Sequence, residues 1–162
     1  LFSGGFSETA LTDIRFHKLQ YAGAYSFYNC VQAINIDLPL CKEVAELAFL
    51  GCKLLKVINL PNVKIVGTSC FTHCSSLTDL ILPLAESVGK SCIGGCDSLM
   101  SINCTLAANE FICFGDCKMC PVCKKEVEIC LQRGKDLWRD EINQLQQQNQ
   151  QLTQTVTQQK IQ

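Results

Sequence analysis

Hydrophobic positions recur along this chain every 22 residues. An aromatic side chain, once replaced by isoleucine, opens each window at Phe27, Phe49, Phe71, Ile93 and Phe114, with gaps of 22, 22, 22 and 21. A cysteine follows three residues later each time, at Cys30, Cys52, Cys74, Cys96 and Cys117. Three apolar columns then fall in L-x-x-L-x-L spacing: Ala33, Leu55, Leu77 and Leu99; Ile36, Ile58, Leu80 and Ile102; and Leu38, Leu60, Leu82 and Cys104. Alternation of this kind predicts a short strand with one face inward. Pro39, Pro61 and Pro83 end the strand, because proline cannot donate to a continuing ladder. A second inward stretch is expected at Val44, Val66 and Val88, with Gly67 and Gly89 turning a corner at positive φ. The segment "TSCFTHC" places Cys70 and Cys74 four apart, which fits one helical or 3-10 turn on the back of the coil. A partial unit precedes these: "LTDIRF" matches "LTDLIL", Gly23 shares the register of Gly67 and Gly89, and "FSGG" puts Gly5 in the cysteine place ahead of a three-residue insertion.

A unit of 22 residues cannot bury its own apolar face, but stacked on its copies it can. The predicted architecture is a solenoid of short parallel strands about 4.8 Å apart, with turn, 3-10 or short helical backs. The composite F-x-x-C-x-x-L-x-x-I-x-L-P pattern, carried best by "FYNC", "FLGC" and "FTHC", resembles the BspA-like leucine-rich repeat family over about residues 2–117. The resemblance implies a curved solenoid that binds other macromolecules and has no catalytic residues. The expected organisation is a leucine-rich repeat solenoid of about five coils over 1–117, a Cys-rich cap over 113–130, and a Gln-rich helix or coiled-coil tail over 131–162.

Thirteen cysteines in 162 residues demand an explanation. A position facing the next coil at under about 5 Å needs a small side chain, and free cysteine behaves as a small buried hydrophobe. Cys70, Cys92 and Cys113 form a second column where earlier units carry Ser26 and Ala48, so size is the requirement there. Disulfides between neighbouring coils are conceivable, though an odd ladder cannot pair throughout. A nucleophilic cysteine would need a base, and the chain has only His17 and His73. The sharper cluster is "CFGDCKMCPVC", where Cys113, Cys117, Cys120 and Cys123 have the composition of a tetrahedral zinc site. Two other readings stand beside zinc: a degenerate last repeat, with Cys120 and Cys123 in the Leu and Ile places and Lys125 marking the polar cap, or a C-x2-C disulfide. An iron–sulfur reading fails because its spacing would want cysteine at Val127.

After Cys130 the chain turns to Gln, Thr and Asn, yet a heptad persists: Trp138, Ile142, Leu145, Asn149, Leu152 and Val156, spaced alternately 4 and 3. Ile142, Asn149 and Val156 at a, with Trp138, Leu145 and Leu152 at d, favour a parallel homodimer whose register Asn149 fixes. The e and g positions carry little charge, and a disordered Gln-rich tail is the competing expectation. Gly134 is expected at the helix start or at a joint with the cap.

Charge excludes more than it suggests. A net charge of −1 gives no electrostatic case for nucleic acid. No apolar run approaches the roughly 20 residues that span a bilayer. The start lacks an initiator Met and a signal-peptide pattern, so the chain is expected to lie within a longer parent. No phosphate loop, paired carboxylate motif or H-E-x-x-H is present, and no cofactor beyond zinc is implied. The expected function is a protein or glycan interaction module. Its contact surface is the outward residues of the strands: Asp13, Arg15, Asn35, Asp37, Val57, Asn59, Asp79, Ile81, Ser101 and Asn103. The alternatives are a structural protein assembled through the tail and a zinc- or redox-dependent module at Cys113–Cys123. Localisation is open between the cell surface or secretion that the resemblance implies and the cytoplasm that reduced thiols would suit.

Overall fold

The computed structural model describes residues 3–113 and 120–159, with side chains along the last helix as far as 152. Phe114 and Cys117, the fifth members of their columns, lie outside the described residues, as does the side chain of Val156. In chain order the strands are β1 (Asp13–Arg15), β2 (Tyr21–Ala22), β3 (Asn35–Asp37), β4 (Glu43–Val44), β5 (Val57–Asn59), β6 (Ile65–Val66), β7 (Asp79–Leu82), β8 (Ser87–Val88) and β9 (Ser101–Cys104). After β9 come a 3-10 turn at Ala108–Glu110, the short helix α1 (Pro121–Lys124) and the long α2 (Val127–Gln159).

The 22-residue period becomes two parallel sheets, ordered β1-β3-β5-β7-β9 and β2-β4-β6-β8. Every pairing offsets partners by one repeat, as in Ile14 with Ile36 and Ile58 with Leu80 and then Ile102. The central residue of β1, β3 and β5 is buried and its two neighbours face out, as the pleat requires. The expected solenoid of short parallel strands is therefore the observed one. Proline ends β3, β5 and β7 by starting a turn: the Cys41, Val63 and Ala85 amides donate to the Leu38, Leu60 and Leu82 carbonyls across Pro39, Pro61 and Pro83. Cys41, Val63 and Ala85 thereby drop into the core as a further column.

Among the described residues the backs of the coils are linked turns, with no helix. Each coil places two residues at positive φ, four apart: Tyr25 and Asn29, Leu47 and Gly51, Ser69 and His73, Ser91 and Gly95. A left-handed residue every fourth position breaks any helical run and leaves i→i+3 bonds, such as Ser26 N–H to Gly23 and Cys30 N–H to Phe27. Between coils the backs also pair, with the Phe27, Phe49 and Phe71 amides donating to the Ala48, Cys70 and Cys92 carbonyls. The glycines after the valine column serve a different purpose from the expected one. Gly67 and Gly89 are not at positive φ. They touch the preceding coil so closely that a Cβ would run into its backbone at Ala45–Glu46 and Gly67–Thr68.

Inside, the phenylalanines stack. Phe6, Phe27, Phe49 and Phe71 follow one another at ring-centroid distances of 5.7, 5.1 and 5.9 Å, with interplanar angles of 4°, 6° and 18°. Burying each such ring is worth about 1.5–3 kcal/mol. The stack also corrects the reading of the first unit. Phe6 takes the aromatic place and Thr9 the cysteine place, with Thr9 Oγ1 3.4 Å from Cys30 Sγ. Glu8, at φ 59°, holds the left-handed slot before it. Gly5 is not in the cysteine column, and the link from Thr9 to β1 is one residue shorter than its counterpart after Cys30, with no insertion.

The last strand is covered by α2. Val127, Cys130 and Leu131 are buried against it. Gly134 lies within the helix and rests on the Ile102 carbonyl, where any Cβ would collide. Expected at the helix start or at a joint with the cap, Gly134 is found inside α2, against β9 of the solenoid. Cys120 and Cys123, expected in the Leu and Ile places of a degenerate last repeat, do not enter a sixth strand, because Pro121 at the first helical position begins α1.

Candidate binding face and thiol cluster

Rigid stacking sets the outward residues of the first sheet in two rows. Asp13, Asn35, Val57, Asp79 and Ser101 form one, and the pairs Arg15–Asp37, Asn59–Ile81 and Ile81–Asn103 define the other. The two ends of the surface differ in chemistry. At the first end Asp13 accepts from Asn35 Nδ2 at 2.9 Å and meets Arg15 at 3.4 Å, while His17 Nε2 lies 3.5 Å from Asp37. The Asn35 hydrogen bond, aided by the Arg15 charge, holds the Asp13 carboxyl below its ordinary value. At the other end Thr78 Oγ1 donates to Asp79 Oδ2 at 2.6 Å, and Ser101 Oγ donates to Asp79 Oδ1. Ser101 is buried, because α2 crosses β9, and so it offers a ligand no surface of its own. Its contribution is to fix the Asp79 carboxylate.

The helix adds residues that belong to no repeat. Gly134, Leu137, Trp138 and Glu141 stand beside Val57, Asp79, Ile81, Ser101 and Asn103 around a groove of about 130 Å³. Trp138, assigned from the heptad to the helix seam, also lines this groove and is 43% exposed. Leu137 and Glu141 carried no sequence signal of their own. A signal did exist in the spacing of Val127, Leu131, Gly134 and Trp138 at 4, 3 and 4, which continues one stripe from the docked part of α2 into the free part. Farther along, Ile142, Leu145, Asn149 and Leu152 are exposed on that same side.

The ladder thiols are hydrogen-bonded as well as buried. Cys30, Cys52, Cys74 and Cys96 each donate Sγ–H to the carbonyl of the phenylalanine one coil back, Phe6, Phe27, Phe49 and Phe71, at 3.1, 3.3, 3.3 and 3.1 Å. Burial pushes the Cys52 thiol up to about 12, and Cys70, Cys74 and Cys96 well above the ordinary value. Such thiols do not supply thiolate near neutrality. His73 is exposed, while the adjacent Cys74 points inward to Phe49, so the two do not form a nucleophile–base pair.

Cys113, Cys120 and Cys123 come together in space. Their sulfurs lie within 4.8 Å of one another, with Cys120 buried and the other two partly buried. Among the described residues this is the one place where three or more metal-ligating side chains converge so closely. Cys117, the fourth member of the expected set, lies outside the described residues.

The sequence profile of the BspA type leucine-rich repeat region matches residues 2–120 in six copies. This chain belongs to that family. Among solved structures, the crystal structure of a T. pallidum leucine-rich repeat protein (TpLRR) superposes with a TM-score of 0.60 at 23% identity, covering 63% of this chain and 50% of that one. That likeness shows the shared fold, and this chain spans half the length of its solved neighbour. Comparison with curated proteins gives no match. A leucine-rich repeat solenoid is an interaction scaffold, and no helix among the described residues is long and apolar enough to cross a membrane.

Proposed function

We propose that the chain is a non-enzymatic module that holds a protein partner on the strand face, against the wall formed by α2. The supporting observation is the groove where Val57 and Ile81 meet Leu137 and Trp138, adjoining rows of fixed polar groups. Aromatic and aliphatic anchors beside ordered hydrogen-bonding groups are the composition of a protein-binding hot spot. The polar rows can read a partner's backbone and side chains because parallel pairing holds them in register. The mixed sign of Asp13, Arg15, Asp37 and Asp79 does not suit a phosphate backbone.

A photo-crosslinking residue placed at Asn59, beside the groove, tests the assignment against one at Ile65 on the second sheet. The expected result is a defined adduct from the Asn59 position that disappears in Asp37→Lys and Trp138→Ala variants. Adducts of the same partner from Ile65, unaffected by those variants, would move the site off the strand face. Capture of a glycan in place of a protein would keep the face and change the ligand class.

A second reading rests on α2, whose free part carries Ile142, Leu145 and Leu152 exposed with Asn149 on the same side. Such a stripe is covered when two copies pair in parallel, with Asn149 setting register. The homodimer would then join two binding faces.

A further inference from the structure

We propose that Cys113, Cys120 and Cys123 form a structural zinc site that clasps the last coil to the helical cap. The three sulfurs lie within 4.8 Å of one another. Tetrahedral zinc with thiolate bonds of about 2.3 Å sets its sulfurs roughly 3.8 Å apart, so small side-chain rotations close the set. Placement supports the assignment. Cys113 lies on the segment that follows the last strand, and its sulfur sits beside Gly94 in the preceding coil. Cys120 immediately precedes α1, and Cys123 lies three residues on, the spacing that puts two side chains on one face of a helical turn. Pro121 at the first helical position holds that turn.

The contrast with the ladder is chemical. Cys30, Cys52, Cys74 and Cys96 each give their proton to a carbonyl of the neighbouring coil and sit one per coil. In the cap, Cys120 and Cys123 share one helical turn and Cys113 joins them from the segment after β9. Binding would release the three thiol protons to solvent as the sulfurs become thiolates, leaving one tetrahedral position for a further donor. Zinc suits the set because it has no redox chemistry and accepts an all-sulfur donor group. A metal here adds a tie next to the packing of Val127, Cys130, Leu131 and Gly134 against the solenoid.

The full chain, stripped with chelator under reducing conditions, is titrated with cobalt(II) and then zinc(II). One equivalent of cobalt should give sulfur-to-metal charge-transfer absorption with tetrahedral visible bands, and zinc should displace it. Cys120→Ser and Cys123→Ser should each weaken binding by about 100-fold or more, whereas Cys41→Ala, remote from the cap, should not change it. Cys123 is partly exposed, so its variant remains informative if Cys120→Ser does not fold. Absence of the thiolate bands, unchanged affinity in Cys123→Ser, or a mapped Cys120–Cys123 disulfide in the native protein would each overturn the site.

Discussion

The residue before each ladder cysteine sits at a φ of 52° to 77°, and the chain fills that slot with Asn29, Gly51, His73 and Gly95. These residue types tolerate the left-handed region best, so a slot that looks variable in chemistry is constant in backbone. His73→Val should therefore lower unfolding free energy by about 1–2 kcal/mol, while His73→Asn leaves it nearly unchanged. Four residues earlier, Ser69→Gly should stabilise by up to about 1 kcal/mol, because serine at φ 52° carries the strain that glycine lacks. Urea titrations check all three, and equal effects of Val and Asn at position 73 would refute the backbone account. The thiols make a pH prediction. Cys52 and Cys92 ionise near 12 when folded, against an ordinary value of about 9. The unfolded chain thus loses protons first as pH rises. Stability tied to each protonated thiol is complete below about pH 9 and is lost toward about pH 12, by up to about 1.4 kcal/mol per pH unit. Urea midpoints should fall above about pH 9, and the fall should be shallower in Cys52→Ala; identical slopes would remove that thiol from the account.

At the scale of elements, α2 meets the solenoid through an absence of side chain. Alanine is the better helix former by about 1 kcal/mol, yet Gly134→Ala should destabilise, because the new methyl meets the Ile102 carbonyl backbone. A fall in thermal midpoint is expected; a rise would mean that the helix is not seated there. The same element shows where the sequence was readable. Strand positions followed from columns at 22-residue spacing, since parallel stacking repeats one burial pattern coil after coil. Whether the backs were helical or turned did not follow, because Cys70 and Cys74 lie four apart in either case, and the left-handed residues at 69 and 73 decide it. The role of Gly67 and Gly89 was likewise hidden, because close approach and positive φ select the same residue. On the candidate site, the polar rows were legible while Ser101 was not: its burial comes from α2, which lies outside the repeat.

For the molecule as a whole, two surfaces compete for one helical stripe. Its first part covers β9, its middle lines the groove, and its end carries Leu145 and Leu152 exposed. If the end pairs with a second copy, the full chain should sediment as a dimer, and Leu145→Asp with Leu152→Asp should sediment as a monomer whose circular dichroism still shows the folded solenoid. Monomeric wild-type protein across a broad concentration range would exclude the homodimer. The chain's single tryptophan stands at the junction of these surfaces, partly in water and partly against the groove. Its indole is consequently an unlabelled optical gauge, whose emission shifts toward the blue when a visitor dries that corner and keeps its colour when contact occurs elsewhere.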